Sequence, residues 1–131
     1  MTPKVYISSH DKDGAAELAK KFRAAGLLVT SLWHDEPFDK NEGTEDDWAE
    51  RARRNFQDVF YSDFLVLVSS DGPVTGGKFV EAGVAASPDA DVLPVVLGRF
   101  ENNMVKAFSR FDTADEVIEF IKDTVSDACA D

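Results

Sequence analysis

A carboxylate standing alone in an apolar helix is the first feature of this sequence that points to chemistry. In Thr75-Gly76-Gly77-Lys78-Phe79-Val80-Glu81-Ala82-Gly83-Val84-Ala85-Ala86, the helix expected from Gly76 is apolar on every face beyond Phe79 except at Glu81. A helix apolar all round is normally buried, and a carboxylate enters such surroundings with a partner or a task. Desolvation raises its pKa, while the amide dipoles of a nearby helix start oppose the shift by favouring the anion. Such a site suits a nucleophile or a general base. The alternative is a Glu that caps a neighbouring element at the end of the sheet. Thr75 is placed to cap the helix, and Gly76 and Gly77 let a ligand approach its first amides closely.

A second polar residue sits where apolar ones are expected. At about 100° per residue, Trp48, Ala52, Phe56 and Val59 share one side of a helix opening at Thr44, and Asn55 falls in the middle of that side. Its amide must find hydrogen-bond partners, either as a core tether or as a reader of something bound at the sheet's edge. Asp58, at the margin of the stripe, reads as solvated.

The elements that position these residues alternate strand and helix. Lys4–Ser8 reads as strand one, ending in the polar turn Ser9-His10-Asp11; a helix with Ala15, Leu18, Ala19 and Phe22 on one face follows and stops at Gly26. Residues 27–32 form strand two. The polar loop from Trp33 to Gly43 follows, and a loop of that kind is more often functional or mobile than merely connecting. Thr44 with Asp47 three residues on gives the second helix a weak capping pattern. Strand three runs from Asp63 to near Ser69, and the Glu81 helix ends at Ser87-Pro88-Asp89-Ala90. Residues 92–97 form strand four, in which Pro94 must occupy the start or an unpaired position. Residues 107–111 form a fifth strand, and the last helix opens with a capping box, Thr113 and Glu116, and shows Val117, Phe120, Ile121 and Val125 on one face. Asp127 to Asp131 reads as a solvated acidic tail.

This alternation implies an α/β fold of the flavodoxin-like or Rossmann-like kind, three layers around a five-stranded parallel sheet in the order 2-1-3-4-5, as a single domain over residues 1–131. Ligands in such folds bind beyond the carboxyl ends of the strands. That rule brings Ser8 to Asp11, Trp33 to Asp35, Asp71 to Gly77 and Arg99 to Asn103 to one cleft, with Glu81 on the helix rising from it.

Composition narrows the possible partners. The chain has 131 residues, 44% of them hydrophobic, which suffices for a real core. A formal net charge of −11 argues against duplex nucleic acid or anionic membranes as partners, but not against small anions held by local amides. The lone Cys129 excludes an intrachain disulfide, suggests no metal cluster, and reads as a partly buried small apolar residue. No apolar run reaches membrane-spanning length and no signal peptide opens the chain, so a cytoplasmic protein is expected.

These pieces together resemble the nucleoside 2-deoxyribosyltransferase-like family, in particular its small bacterial and phage members. The resemblance rests on Lys4-Val5-Tyr6-Ile7-Ser8-Ser9, Val29-Thr30-Ser31-Leu32-Trp33, Ala52-Arg53-Arg54-Asn55-Phe56-Gln57-Asp58-Val59 running to Ser62-Asp63, Gly76-Gly77-Lys78-Phe79-Val80-Glu81-Ala82-Gly83, and Gly98-Arg99-Phe100-Glu101-Asn102. The Gly-Gly…Val-Glu-x-Gly piece is the most specific of these. The resemblance implies that Glu81 attacks the anomeric carbon of a 2′-deoxynucleoside or its 5′-monophosphate, that the departing base is protonated, and that a second base or water resolves the glycosyl-enzyme. It implies no cofactor. Tyr6 resembles the hydroxyl that orients the nucleophile, its alternative being an aromatic packed at a strand end. Asn102, and less closely Asn103, resembles an amide that contacts the sugar, often across a subunit boundary, and family practice implies a homo-oligomer.

One departure stands out. Many members carry an aspartate where this chain has Asn55, eight residues before Asp63, and an amide cannot act as an acid. Asp71 or another acid then substitutes, or the substrate is changed, or the chain binds without turnover. The other acid of the pattern lies where this chain has Thr75. Trp33 and His34 are candidates for stacking on or hydrogen bonding to a base; the alternatives are a plug at the sheet end for Trp33 and a solvent-exposed loop residue for His34. Ser8 and Ser9, with His10 as a weaker addition, are candidates near a phosphate, and Lys78 either pairs with phosphate or is solvated. Three functions follow: an N-glycosidic transferase or hydrolase, a nucleotide-binding or sequestering module, and an NAD-cleaving enzyme akin to the TIR-like receptor signalling domains.

Overall fold

The structure is a computed structural model and describes residues 2–38, 41–71 and 76–129. Five parallel strands, β1 (Lys4–Ser8), β2 (Leu28–Val29), β3 (Phe64–Val68), β4 (Leu93–Leu97) and β5 (Ser109–Phe111), lie in the order β2-β1-β3-β4-β5. Four helices cover them: α1 (Lys12–Ala24), α2 (Glu45–Phe60), α3 (Gly77–Ala86) and α4 (Ala114–Cys129). The expected α/β three-layer architecture and strand order are those observed.

Strand alternation divides the core into two layers. Val5, Ile7, Phe64, Val66 and Val95 pack against Ala15, Ala19 and Phe22 of α1 and Val117 and Ile121 of α4. Tyr6, Leu65, Leu67 and Val96 face the other way, onto Val59 of α2 and Ala82 and Ala85 of α3. The two helix starts with threonine caps form reciprocal boxes: Thr44 with Asp47, and Thr113 with Glu116. Pro94 lies inside β4. Leu93 N–H donates to Asp63 O, so the next position turns toward β5, whose pairing begins only at Val95 with Ser109. No ladder bond is lost.

Strand two is shorter than the expected 27–32. Thr30 N–H still donates to Val5 O at 2.8 Å, but the next amide of β1, Ile7 N–H, donates to the Ser31 hydroxyl at 3.1 Å, and Ile7 O accepts from Trp33 Nε1 at 2.9 Å. Two side chains replace the backbone partner, and the chain turns away into a 3₁₀ turn, Trp33–Asp35. Another 3₁₀ turn, Met104–Ala107, shortens the fifth strand to three residues.

Both helices beside Glu81 are more open than their composition suggests. Of the α2 stripe only Val59 is buried; Trp48 is 43% and Phe56 36% exposed, and Ala52 is exposed too. The reason is placement: the stripe packs toward α3 and the rim of a cavity, not onto the sheet. In α3, Val80, Gly83 and Ala86 are exposed, and the buried positions are Lys78, Ala82 and Ala85. Gly76 stands at the cap position without a side-chain cap bond, while Thr75 lies outside the described residues. α4 continues through Cys129, so Asp127 is helical; the Cys129 side chain and residues 130–131 lie outside the described part. No described helix is long and apolar enough to cross a membrane.

Candidate active site

Tyr6 and Ser8 are two residues apart on β1, so both side chains leave the same face of the sheet. That face looks onto α3, and each hydroxyl meets one oxygen of Glu81. Tyr6 Oη donates to Glu81 Oε2, and Ser8 Oγ lies 2.8 Å from Oε1. The Ser8 hydroxyl is also 3.2 Å from Lys78 O. Having one proton, it donates to Glu81 when the carboxylate is ionised and turns to the carbonyl when it is not.

Both β1 residues are fully buried. Burial pushes the Glu81 pKa above the ordinary glutamate value, and the hydrogen bonds from Tyr6 and Ser8 pull it back. The opposition expected from helix amides is thus supplied by two hydroxyls. Tyr6 is held far above the ordinary tyrosine range, first by burial and then by the charge of Glu81. It stays protonated and acts as a donor only.

Glu81 opens onto a cavity of about 810 Å³. Trp33, Phe38, Trp48 and Phe56 give it aromatic walls, Ser9 and Gly77 border it from the β1 and α3 sides, and Asn55 faces it from α2. Trp33 closes the end of β1 with its indole N–H, as the plug reading has it, and is also one of the residues lining the cavity. An enclosure lined by aromatic rings, hydrogen-bonding groups and a carboxylate suits a heteroaromatic ring joined to a polar group.

The wall also carries groups that the sequence did not single out. Arg54 pairs with the Glu36 carboxylate through Nη2. Lys12 Nζ donates to the carbonyls of Glu36 and Phe38, the latter at 2.8 Å, and the Arg51 guanidinium lies 4.0 Å from the Phe38 ring centre. Each of these cations ties the segment after the first 3₁₀ turn to α1 or α2. The only forewarning of Arg54 was its adjacency to Asn55.

Other expected site residues lie elsewhere. Asp71 is exposed and borders a second cavity of about 650 Å³ on the α1 side, which shares Ser9, His10 and Lys12 with the first. His34 is not an exposed loop residue and is not on the cavity wall; it is buried, 2.8 Å from Ser31 Oγ and 3.4 Å from Asp35. Burial lowers its pKa, with Asp35 opposing. Asn102 Oδ1 accepts the backbone amides of Met104 and Val105 at 2.9 and 3.1 Å, closing its own turn. Lys78 is neither solvated nor free for a phosphate: its ammonium is buried against the Glu101 carboxylate and 3.1 Å from Val68 O. Asp58 is half-buried, with Oδ2 buried and unpartnered, and burial raises its pKa while Arg54 opposes. Among the described residues no cluster of His, Cys, Asp and Glu is arranged to hold a metal ion.

No family model and no curated protein matches the sequence. Solved structures do match over nearly the whole chain. A 2-deoxyribosyltransferase from the psychrotolerant bacterium Bacillus psychrosaccharolyticus superposes with a TM-score of 0.66 at 16% identity, covering 88% of this chain and 90% of that one. A conserved protein from Enterococcus faecalis V583 gives 0.65 at 16% identity, over 95% of this chain and 99% of its own. The Clostridium botulinum CMP N-glycosidase BcmB gives 0.53 at 12% identity, over 91% and 98%. The chain has the fold of the nucleoside 2-deoxyribosyltransferase-like proteins.

Proposed function

We propose that this chain, built on the nucleoside 2-deoxyribosyltransferase-like fold, cleaves or transfers the N-glycosidic bond of 2′-deoxynucleosides or their 5′-monophosphates, with Glu81 as nucleophile. The observation that carries the reading is the clamp on Glu81, a half-buried carboxylate held by Tyr6 and Ser8 on the wall of a cavity roomy enough for a nucleoside. Carboxylate attack on the anomeric carbon needs an anion that is poorly solvated yet fixed in direction. Two hydroxyls meet that need without neutralising the charge. Trp33 and Asn55, on the cavity wall, border the space for the base, and Ser9 and Gly77 the space for the sugar and any 5′ phosphate, with Gly76 next to Gly77 at the start of α3. Asp71 opens on the other cavity, so we give it no part in the chemistry.

A homo-oligomer belongs to this reading. Phe60 is 50% and the adjoining Tyr61 69% exposed, large side chains off the cavity wall that a neighbouring protomer would cover. Asn102, exposed and not among the residues of its own cavity wall, is then available to a neighbouring protomer.

The test is product analysis after incubating the protein with a panel of 2′-deoxynucleosides and 5′-monophosphates, each with and without a second free base, beside Glu81→Ala. Free base released by the intact protein and not by the variant is the expected result, and new nucleoside separates transfer from hydrolysis. Tight binding of a panel member with no product would instead identify a binding module in which Asn55 marks lost chemistry.

A further inference from the structure

If Glu81 is the nucleophile, the cavity wall, which also carries His10, offers no free carboxylic acid to the departing base. Among the described residues the wall has two carboxylates, Glu81 itself and Glu36, which is tied to Arg54. Asn55 has no proton to give, Asp71 borders the other cavity, and Tyr6 is committed to Glu81.

We propose that Arg54 replaces the acid: its guanidinium donates hydrogen bonds to an acceptor atom beside the glycosidic nitrogen and holds the negative charge of the departing base without transferring a proton. The inference rests on the reading of Glu81 given above. Three observations on the residue support it. Arg54 lines the cavity that Glu81 opens onto. Its hydrogen bonds leave from Nη2 alone, to Glu36 and, at 3.4 Å, to Asn55 Oδ1, while Nε is buried without a partner. A guanidinium has five N–H donors, so most remain to be used. Finally, the side chain is 35% exposed and Glu36 13%, so the head is within reach of a ligand while its anchor is held. Lys12, bonded to the Glu36 and Phe38 carbonyls, fixes that anchor in turn. The donor is preorganised, which is the condition under which one fixed hydrogen bond contributes most to a transition state.

The step balances without an acid. A Glu81 oxygen forms a bond to C1′ as the C1′–N bond breaks, and the electron pair stays with the base. Arg54 stabilises that anion. Water then attacks C1′, the bond to Glu81 breaks and restores the carboxylate, and the proton lost by water neutralises the base. With a second base as acceptor, its ring nitrogen takes the place of water and its proton is the one passed on. Since arginine does not deprotonate in proteins, the leaving step has no alkaline limit of its own. Its rate must instead depend steeply on how well each base bears negative charge.

The experiment is single-turnover base release from 2′-deoxynucleosides whose bases span a range of acidity, followed across pH for the wild type, Arg54→Gln, Arg54→Lys and the double variant Arg54→Gln/Asn55→Asp, with melting curves to establish folding. We expect Arg54→Gln to slow release by about 10²- to 10³-fold, as loss of one fixed donor does elsewhere. The loss should grow for the poorer leaving bases and fall on the rate, not on KM. Arg54→Lys should recover part of it, and Asn55→Asp in the glutamine background should recover part with a new alkaline limb. A loss that is uniform across bases or confined to KM, or an alkaline limb already present in the wild type, overturns the proposal. If Glu81→Ala abolishes release and Arg54→Gln does not, Arg54 alone is wrong. If the wild type releases no base from any substrate, the Glu81 reading falls and takes this one with it.

Discussion

Ser8 Oγ stands 2.8 Å from Glu81 Oε1 and 3.2 Å from Lys78 O, so a single hydroxyl proton serves either the charge of Glu81 or the first turn of the helix that carries it. With Tyr6 on the other oxygen, the ionised carboxylate has a donor for each end.

Removing either donor should act first on ionisation. Tyr6→Phe and Ser8→Ala each take away a hydrogen bond that lowers the Glu81 pKa, leaving burial less opposed. The Glu81 anion is lost as pH falls through that pKa, so under the proposed chemistry the acidic limb of the rate profile should move to higher pH in both variants. A hydrogen bond to a charged group contributes about 1.5–3 kcal/mol, which corresponds to a loss of about 10- to 100-fold in kcat on the plateau. An acidic limb that stays in place would show that the two hydroxyls do not set the charge of Glu81.

Glu81 should be a burden on stability. The folded state binds its proton more tightly than the unfolded chain does, since burial raises the pKa from its ordinary 4.5. Between the unfolded and folded values the folded state therefore holds more protons, and stability falls as pH rises through that window. Glu81→Gln, uncharged at any pH, should melt higher than the wild type at neutral pH and lose this advantage near pH 4. Equal melting temperatures at both pH values would contradict the burial argument. Asp58, also raised, adds to the same slope in the wild type and is unaffected by the substitution.

Lys78 and Glu101 were legible only as charged residues in or near loops, yet their side chains are 1% and 2% exposed and face each other. Leaving one such charge without its partner costs about 3–5 kcal/mol, whereas replacing both by apolar residues is often neutral. Urea unfolding of Lys78→Met, Glu101→Leu and the double variant should show two large single losses and a double variant more stable than either. Additive losses would mean the pair is not coupled.

The exposed end of α2 leads to a prediction about assembly. Phe60→Glu and Tyr61→Glu should turn the proposed oligomer into monomers in sedimentation or light scattering. A wild type that sediments as a monomer at micromolar concentration would remove that part of the proposal.

The strand order was readable because alternating elements and right-handed crossovers leave few topologies, and the buried face of α1 followed from a period that no other contact overrides. What the sequence did not disclose shares one cause. Periodicity reports which residues are alike, not what they face. The stripe Trp48, Ala52, Phe56 is a true helical face, but it borders a cavity, and only Val59 reaches the sheet side. Ser31 and Trp33 look like the end of a strand because nothing in their types says that their side chains will occupy the hydrogen-bonding positions of Ile7. Within the site, Glu81 could be picked out as an exception to its surroundings. Arg54 could not, because a basic residue on a polar helix is no exception at all.

The brevity of β2 bears on how copies of this chain can meet. The two edges of the sheet are its two shortest strands, two residues at β2 and three at β5, and past Val29 the β1 edge is closed by a serine and a tryptophan of the same chain. An incoming strand finds too few free amides and carbonyls to add itself to the sheet. Self-association by sheet extension, the usual opening to fibrous aggregation, is thereby blocked at both ends, and contact between copies is left to the helices, where side chains set the fit.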